Sequence, residues 1–126
     1  MLVREVMTRQ VEATTADATL LSAALQMKEA GVGFLPVREA RRLVGVVTDR
    51  DLVVRATTSG YGPEELRIRD VMTPHAQCCF DDQSLDYARE LLAEQNLTRL
   101  IVLDRRGRLV GVLSRDDLPS ATDARA

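Results

Sequence analysis

The chain has 126 residues, a formal net charge of −2 at pH 7 and only 3% aromatic residues, so it allows one ordinary domain or two half-sized units with an aliphatic core. The slightly acidic balance disfavours nucleic acid as the main partner, because such binders usually carry a clustered basic surface. The apolar runs of the sequence are too short for a membrane span. Acidic residues interrupt the N-terminal region, where a secretion signal would lie. We therefore expect a cytoplasmic protein.

The first half of the chain predicts a short lead segment followed by a β-α-β-β-α series. The lead segment ends at Val-Met-Thr, residues 6–8. Apolar residues at helical spacing begin at Leu20, and Gly31 is a typical helix-stop residue. The predicted elements are a brief strand at residues 10–13, a helix from 20 to 30, strands at 34–37 and 43–47, and a helix from 49 to 58 that ends at a turn-rich segment, 59–63.

The same series recurs in the second half of the chain. Residues 3–8 match residues 68–73, which lie 65 positions further along, and after one extra residue in a turn residues 43–48 match residues 109–114. Such internal similarity is the signature of a duplicated structural unit. The predicted elements are a strand at residues 76–80, a helix with Ser84 as N-cap and Asn96 as stop, strands at 100–103 and 109–113, and a final helix that Pro119 cuts short.

Each copy has about 55 residues, which is marginal for independent folding. The two copies are therefore expected to bury their sheets against each other about a pseudo-twofold axis, in an α/β (α+β) fold. The predicted division is repeat 1 with its lead segment at residues 1–60, a linker at 61–66, repeat 2 at 67–118 and a flexible tail at 119–126.

This duplicated pattern resembles the tandem CBS domain pair, or Bateman module, over residues 1 to 118. The resemblance rests on Val-Met-Thr in both copies, on Leu-Pro-Val at residues 35–37, and on two segments that begin Gly-Val, residues 45–52 and 111–118. The segment 47–56, followed by Gly60 and Pro63, is similar to stand-alone bacterial CBS proteins of the hypoxic-response type.

The resemblance implies a regulatory module without catalytic activity. Members of this family commonly bind AMP, ADP, ATP or S-adenosylmethionine in clefts between the repeats, and they need no further cofactor. The module is expected to form a homodimer and to act on a separate target protein. A scaffold that binds no ligand and serves dimerisation or docking is the alternative.

Two strand-to-helix junctions are the candidate site. Thr48 with Asp51, and Ser114 with Asp117, have the spacing of a capping box, which is one complete explanation of these residues. The resemblance implies a second role, in which Asp51 and Asp117 bind the ribose hydroxyls. The phosphate-side residues would be Thr48, Ser114, Arg50 and Arg115, near N–H groups expected to be free in the first helical turn. Because Arg50 and Arg115 stand at different positions after the cap, the two sites are expected to be unequal; solvated surface charge is the other explanation of both arginines.

The resemblance also implies an adenine side of the site. The first strand of each copy should offer backbone groups to the base edge, and the Leu-Pro-Val segment should lie beside the ring. Ile101 takes the place of Pro36 in the second copy, and ordinary core packing remains an alternative for all of these side chains. The adenine-side residues are Val11, Ala13, Leu35, Pro36, Val37, Ala76, Cys78 and Ile101.

His75, Cys78 and Cys79 lie close together in the sequence. They lack the spacing of a recognised zinc site, and adjacent cysteines on a strand point to opposite faces, so neither a metal nor a disulfide is expected. A Cys-His enzyme would need an orienting group and a cleft as well. An enzyme built on these residues is the third class of function, and a redox-sensitive thiol stays open.

Overall fold

The computed structural model describes residues 1–74 and 77–119. The chain forms two compact units. One, the continuous unit, comprises Glu12–Ala76, and the other, the discontinuous unit, combines Met1–Val11 with Gln77–Ala126. The units therefore divide the chain differently from the sequence repeats, because each N-terminal lead segment lies outside the unit that holds the rest of its own repeat.

The continuous unit carries a three-stranded sheet in the order β1-β2-β3, in which β1 is parallel and β3 antiparallel to β2. Its elements are β1 (Thr14–Thr15), α1 (Leu20–Ala30), β2 (Phe34–Glu39), β3 (Arg42–Thr48), α2 (Asp49–Ser59) and the one-turn helix α3 (Ile68–Val71).

The discontinuous unit repeats this arrangement with the order β4-β5-β6 and the same strand directions. Its elements are a 3-10 helix (Val3–Glu5), β4 (Cys78–Phe80), α4 (Leu85–Glu94), β5 (Arg99–Leu103), β6 (Leu109–Ser114) and a second 3-10 helix (Arg115–Asp117). The predicted mixed α+β class and the duplicated strand and helix order are confirmed.

Helix ends follow the local chemistry that the sequence indicated. Ser84 caps α4, its hydroxyl accepting a hydrogen bond from the Tyr87 N–H at 3.1 Å. Thr19 caps α1 in the same way. Gly31 ends α1 in the left-handed conformation, and Asn96 has a φ of 52° just after α4. Gly and Asn adopt this backbone conformation more easily than other residues do.

Each lead segment packs against the sheet of the other repeat. In the continuous unit the Ile68 N–H donates to the Ala18 carbonyl at 2.9 Å. In the discontinuous unit the Val3 N–H donates to the Gln83 carbonyl, also at 2.9 Å. These two bonds are related by the same offset of 65 positions that relates the repeats. The exchange of lead segments is therefore reciprocal.

A glycine in the last strand of each sheet permits the close approach of the lead segment. Thr73 exchanges two backbone hydrogen bonds with Val46, and Thr8 exchanges two with Val112. A Cβ atom on Gly45 would stand 2.7 Å from the Thr73 carbonyl oxygen, and one on Gly111 would stand 2.7 Å from the Met7 sulfur. Any side chain at either position would displace the lead segment.

Each unit has its own aliphatic core between its helices and one face of its sheet. In the continuous unit the buried side chains are Ala16, Leu20, Ala23, Met27, Leu35, Val37, Val47, Leu52, Leu66, Ile68 and Val71. In the discontinuous unit they are Val3, Met7, Cys79, Leu85, Ala88, Leu92, Leu100, Val102 and Leu113. Leu66, from the predicted linker, is thus a core residue, and its carbonyl accepts a hydrogen bond from the Leu20 N–H at 2.9 Å.

The first strand lies later in the chain than the sequence pattern predicts: β1 is Thr14–Thr15 rather than residues 10–13. Pro36 accounts for one residue of this difference. In the second copy the Ile101 N–H donates to the Gln77 carbonyl at 3.3 Å and extends the parallel pairing. Pro36 occupies the position of Ile101 and has no N–H, so pairing in the first copy starts one residue later.

The last helix of the second copy is only the 3-10 helix Arg115–Asp117, as the position of Pro119 indicated. The Pro119 carbonyl accepts a hydrogen bond from the Arg89 guanidinium at 2.8 Å. The rest of the predicted tail, residues 120–126, lies outside the described residues. In the described part of the chain, no helix has the length and apolar character needed to cross a membrane.

Candidate ligand-binding site

The first junction, residues 48–51, lies where β3 passes into α2. The Thr48 hydroxyl accepts from the Asp51 N–H at 3.1 Å, and the Asp51 Oδ2 atom accepts from the Thr48 N–H at 3.0 Å. This reciprocal pair is the capping box that the spacing predicted. It holds a half-buried carboxylate in one orientation. Within the described residues the other oxygen, Oδ1, accepts no hydrogen bond.

The first three N–H groups of α2 are already bonded, so the expectation that they are free is wrong. Asp49 N–H donates to the Gly33 carbonyl at 2.9 Å, Arg50 N–H donates to the Asp49 carboxylate at 2.8 Å, and Asp51 N–H bonds to Thr48. The bond of the Asp51 N–H follows from the predicted capping box, whereas the sequence reasoning missed the other two acceptors, the Gly33 carbonyl and the Asp49 carboxylate. A phosphate group here would have to displace the Asp49 carboxylate.

The second junction, residues 114–117, repeats the carboxylate geometry. The Asp117 Oδ2 atom accepts from the Ser114 N–H at 2.9 Å, which matches the Asp51 contact. The Ser114 hydroxyl, however, accepts from the Asp116 N–H at 3.1 Å, one residue earlier than in the first junction. A single 3-10 turn replaces the eleven-residue α2, so the second junction has no long helix behind it.

The two candidate phosphate-side arginines differ in their surroundings. The Arg115 guanidinium donates to the Leu92 carbonyl of α4 at 3.2 Å, so it stabilises the end of that helix. Arg50 is exposed at the start of α2, and no ion pair involves it within the described residues. Only Arg50 is therefore available to a ligand without first breaking a contact inside the chain.

The Leu-Pro-Val segment lies at the centre of β2. Leu35 and Val37 are fully buried in the core of the continuous unit. Pro36 is buried on the other face of the strand, and Ile101 takes the same place on β5. Their core role is thus established, while contact with a base stays a prediction.

The base-edge segments, residues 11–13 and 76–78, are less alike than the repeat suggests. The Ala13 carbonyl accepts a hydrogen bond from the Gln26 side-chain amide of α1 at 2.9 Å. Val11 belongs to the discontinuous unit, whereas Ala13 belongs to the continuous unit. Ala76 lies outside the described residues. Sequence reasoning missed Gln26. The signal that could have found it is a difference between the repeats, because the matching position of the second copy holds Leu91, which is apolar.

The cysteines are poor nucleophiles at neutral pH. Burial raises the pKa of the Cys79 thiol to about 11, and burial also raises the pKa of Cys78. A thiol acts as a nucleophile through its thiolate, whose fraction at pH 7 falls as the pKa rises. His75 lies outside the described residues. Within residues 1–74 and 77–119, no three His, Cys, Asp or Glu side chains are grouped closely enough to hold a metal ion.

Comparison with known proteins identifies the family. Residues 3–56 and 68–121 both match the CBS domain. The CBS domain-containing protein YhcV of Bacillus subtilis is 34% identical over 116 residues, which cover 92% of this chain and 81% of YhcV. The uncharacterized protein MK0525 of Methanopyrus kandleri is 30% identical over 117 residues, and the chain spans only 60% of its length. The chain belongs to the CBS domain family as a tandem pair.

Solved structures of CBS-pair proteins have the same fold. CBSX2, a CBS-pair protein of Arabidopsis thaliana, in complex with AMP matches with a TM-score of 0.79 and 30% identity, covering 92% of this chain and 91% of CBSX2. Hypoxic Response Protein I with two coordinated zinc ions matches with a TM-score of 0.80 and 26% identity, covering 93% of this chain and 95% of that protein.

Proposed function

We propose that this CBS pair is a non-catalytic regulatory module that binds an adenine nucleotide, either AMP, ADP or ATP, or S-adenosylmethionine. The observation that carries the proposal is the duplicated junction with a carboxylate held in place by its own capping box. A carboxylate accepts hydrogen bonds but donates none, so it suits the two hydroxyls of a ribose. The complex of the similar protein CBSX2 with AMP supports an adenosine ligand.

The ribose end of the ligand is better supported than its phosphate end. Asp51 keeps Oδ1 available, whereas the first-turn N–H groups of α2 are bonded within the chain. Nucleotide selectivity would then depend on Arg50 and on how easily the Asp49 carboxylate moves away. A ligand without a phosphate, such as S-adenosylmethionine, needs neither a contact with Arg50 nor a movement of the Asp49 carboxylate.

Regulation would follow from differential binding. A nucleotide that favours one conformation of the module shifts the population towards it, and a separate target protein would respond to that shift. The raised pKa values of Cys78 and Cys79 weigh against the thiol enzyme as an alternative.

The test is a titration of the purified chain with AMP, ADP, ATP, NAD and S-adenosylmethionine, followed by thermal unfolding and calorimetry. A ligand at a hundred times its dissociation constant should raise the unfolding free energy by about 2.7 kcal/mol. Adenine alone and ribose 5-phosphate are the controls for the two halves of the ligand. If no compound of the panel shifts the unfolding curve, the nucleotide proposal is wrong and the ligand-free scaffold takes its place.

A homodimer is the second part of the proposal, and the exposed face of α2 supports it. Arg50, Val53, Val54, Thr57 and Thr58 follow the i, i+3, i+4, i+7, i+8 spacing of one helix face. Val53 is 63% exposed. The Thr57 and Thr58 hydroxyls donate back to the carbonyls of Val53 and Val54 at 2.6 and 2.8 Å, so both hydroxyls are hydrogen-bonded within the helix.

This α2 stripe suits a second copy of the chain better than an unrelated partner. A twofold axis perpendicular to α2 would pair the stripe antiparallel with itself, and a closed dimer uses a self-complementary patch of this kind. The stripe carries no acidic residue that would oppose this pairing.

Replacing both exposed valines, Val53→Asp with Val54→Asp, should convert the dimer to a monomer, because two carboxylates would be buried against their twofold copies. Light scattering after size-exclusion chromatography measures the mass. Arg55→Ala, on another side of α2, should leave the mass unchanged. A wild-type chain that elutes as a monomer at every concentration would contradict the dimer without affecting nucleotide binding.

A further inference from the structure

Residues 9–11 lead from the discontinuous unit into the continuous unit. Within the described part of the chain, their backbone groups make no hydrogen bond, and two of the three side chains are exposed. The next two residues are fixed to α1 by the Gln26 link, in which the side-chain amide donates at 2.9 Å to the Glu12 carboxylate and to the Ala13 carbonyl. A change of backbone direction is therefore easiest within residues 9–11.

The predicted linker between the repeats is held much more firmly. The Pro63 carbonyl accepts a hydrogen bond from the Leu21 N–H of α1 at 3.0 Å, and the Leu66 N–H donates to the Gly62 carbonyl at 3.2 Å. Leu66 is also buried in the core of the continuous unit. The linker cannot change direction without breaking these contacts.

The first lead segment, residues 1–8, makes its contacts with a part of the chain that is far away in the sequence. Outside the segment itself, its backbone hydrogen bonds are made to residues 81–85 and to Val112. Its Val3 and Met7 side chains are buried in the core of the discontinuous unit. The residues that bond to the segment all follow the continuous unit in the chain, so a second copy offers the same surface to it.

This first lead segment also lacks an ion pair that the second one, residues 68–73, has. Arg69 of the second lead segment pairs with Asp17. Arg4 and Asp82 stand at the matching positions, but Arg105 holds the Asp82 carboxylate at 2.9 Å, and Arg4 forms no ion pair within the described residues. Since an exposed ion pair contributes up to about 1 kcal/mol, the first lead segment is released more easily than the second.

We propose that residues 1–8 are exchanged between two copies of this chain, so that the lead segment of each copy packs on β6 of the other. Residues 9–11 are the hinge. Exchange of an identical element is a low-cost route to a dimer, because the contacts of the segment are remade with the second copy. This exchange uses neither the α2 stripe nor the nucleotide site, so it stands or fails independently of both.

The test mixes two single-cysteine chains, Thr8→Cys and Val112→Cys, after Cys78→Ser and Cys79→Ala have removed the native thiols. Thr8 and Val112 exchange two hydrogen bonds, and the Cα atoms of such a pair lie about 5.5 Å apart, which a disulfide can span. In the mixture, refolded from urea and oxidised, a disulfide between positions 8 and 112 can join only two different chains. Mass spectrometry identifies it. Its yield should rise severalfold between about 0.05 and about 1 mM chain, because exchange competes with a tethered segment at an effective concentration in the millimolar range.

Val46→Cys mixed with Thr73→Cys is the matched control, since this bridge has the same two hydrogen bonds but lies inside the continuous unit. It should give no disulfide between chains, because residues 68–73 could reach a second copy only if the linker opened. A chain with both cysteines of either bridge should close the bond within itself at low concentration, which checks folding and geometry. If the bond between positions 8 and 112 fails to form at every concentration, the proposal is wrong. Equal yields from both mixtures would also overturn it, in favour of an exchange of whole repeats.

Discussion

Removing both junction carboxylates, Asp51→Ala with Asp117→Ala, should strongly weaken nucleotide binding at both sites. Each carboxylate would lose a charge-assisted hydrogen bond to a ribose hydroxyl, worth about 1.5–3 kcal/mol, which is roughly a 10- to 100-fold loss of affinity at each site. The same change removes the acceptor of the Thr48 and Ser114 N–H groups, at about 1 kcal/mol of stability per cap. Calorimetry reports the affinity, and chemical unfolding reports the stability separately.

Two further variants separate ribose binding from capping. Asp51→Asn with Asp117→Asn keeps an oxygen that can accept from the cap N–H but loses the charge, so it should keep the stability and still weaken binding. Glu64→Ala with Asp116→Ala changes the net charge by the same amount at exposed side chains outside the two capping pairs, and it should leave the affinity unchanged. Unchanged affinity in the double alanine variant at positions 51 and 117 would reduce these two residues to caps.

A methyl group on the close-approach glycines should have the largest effect on stability. Gly111→Ala would put a Cβ atom 2.7 Å from the Met7 sulfur and 2.8 Å from the Thr8 carbonyl oxygen. Overpacking of this kind costs about 1–3 kcal/mol, and the two hydrogen bonds between Thr8 and Val112 would weaken as well. A loss of about 2–4 kcal/mol in the free energy of unfolding is expected from urea titration.

The same reasoning applies to Gly45→Ala, where the backbone oxygen of Thr73 is the obstacle. Gly62→Ala is the control, because its new Cβ atom would meet only the flexible end of the Glu65 side chain at 3.3 Å. This control should change the stability by less than about 1 kcal/mol. Equal stability of Gly111→Ala and Gly62→Ala would show that the lead segment does not need the glycine.

Local features of the fold were predictable from the sequence because local chemistry determines them. Ser84 and Gly31 end helices through their own side chain or backbone freedom, and both were identified from residue type and position. The exact start of β1 could not be predicted, because it depends in part on an N–H that Pro36, in a different strand, does not have. The exchange of lead segments is also non-local: residues 3–8 and 68–73 contain no signal of which sheet they join.

In the candidate site, too, the local features could be predicted from the sequence and the non-local contacts could not. The capping boxes at Thr48 and Ser114 follow from a spacing of three residues, and the structure has both carboxylate contacts. The occupied N–H groups of α2 and the Gln26 link depend on side-chain conformations, which a single sequence does not encode in a readable pattern. Gln26 could have been noticed only as a place where the two repeats differ.

The reciprocal lead segments impose an order on biosynthesis. The continuous unit occupies one uninterrupted stretch, Glu12–Ala76, and can complete its sheet as soon as that stretch has left the ribosome. Residues 1–11 precede this stretch in the chain, yet they must wait for β6, which is translated after it. A segment that is made before the continuous unit therefore finds its place only after that unit is able to fold.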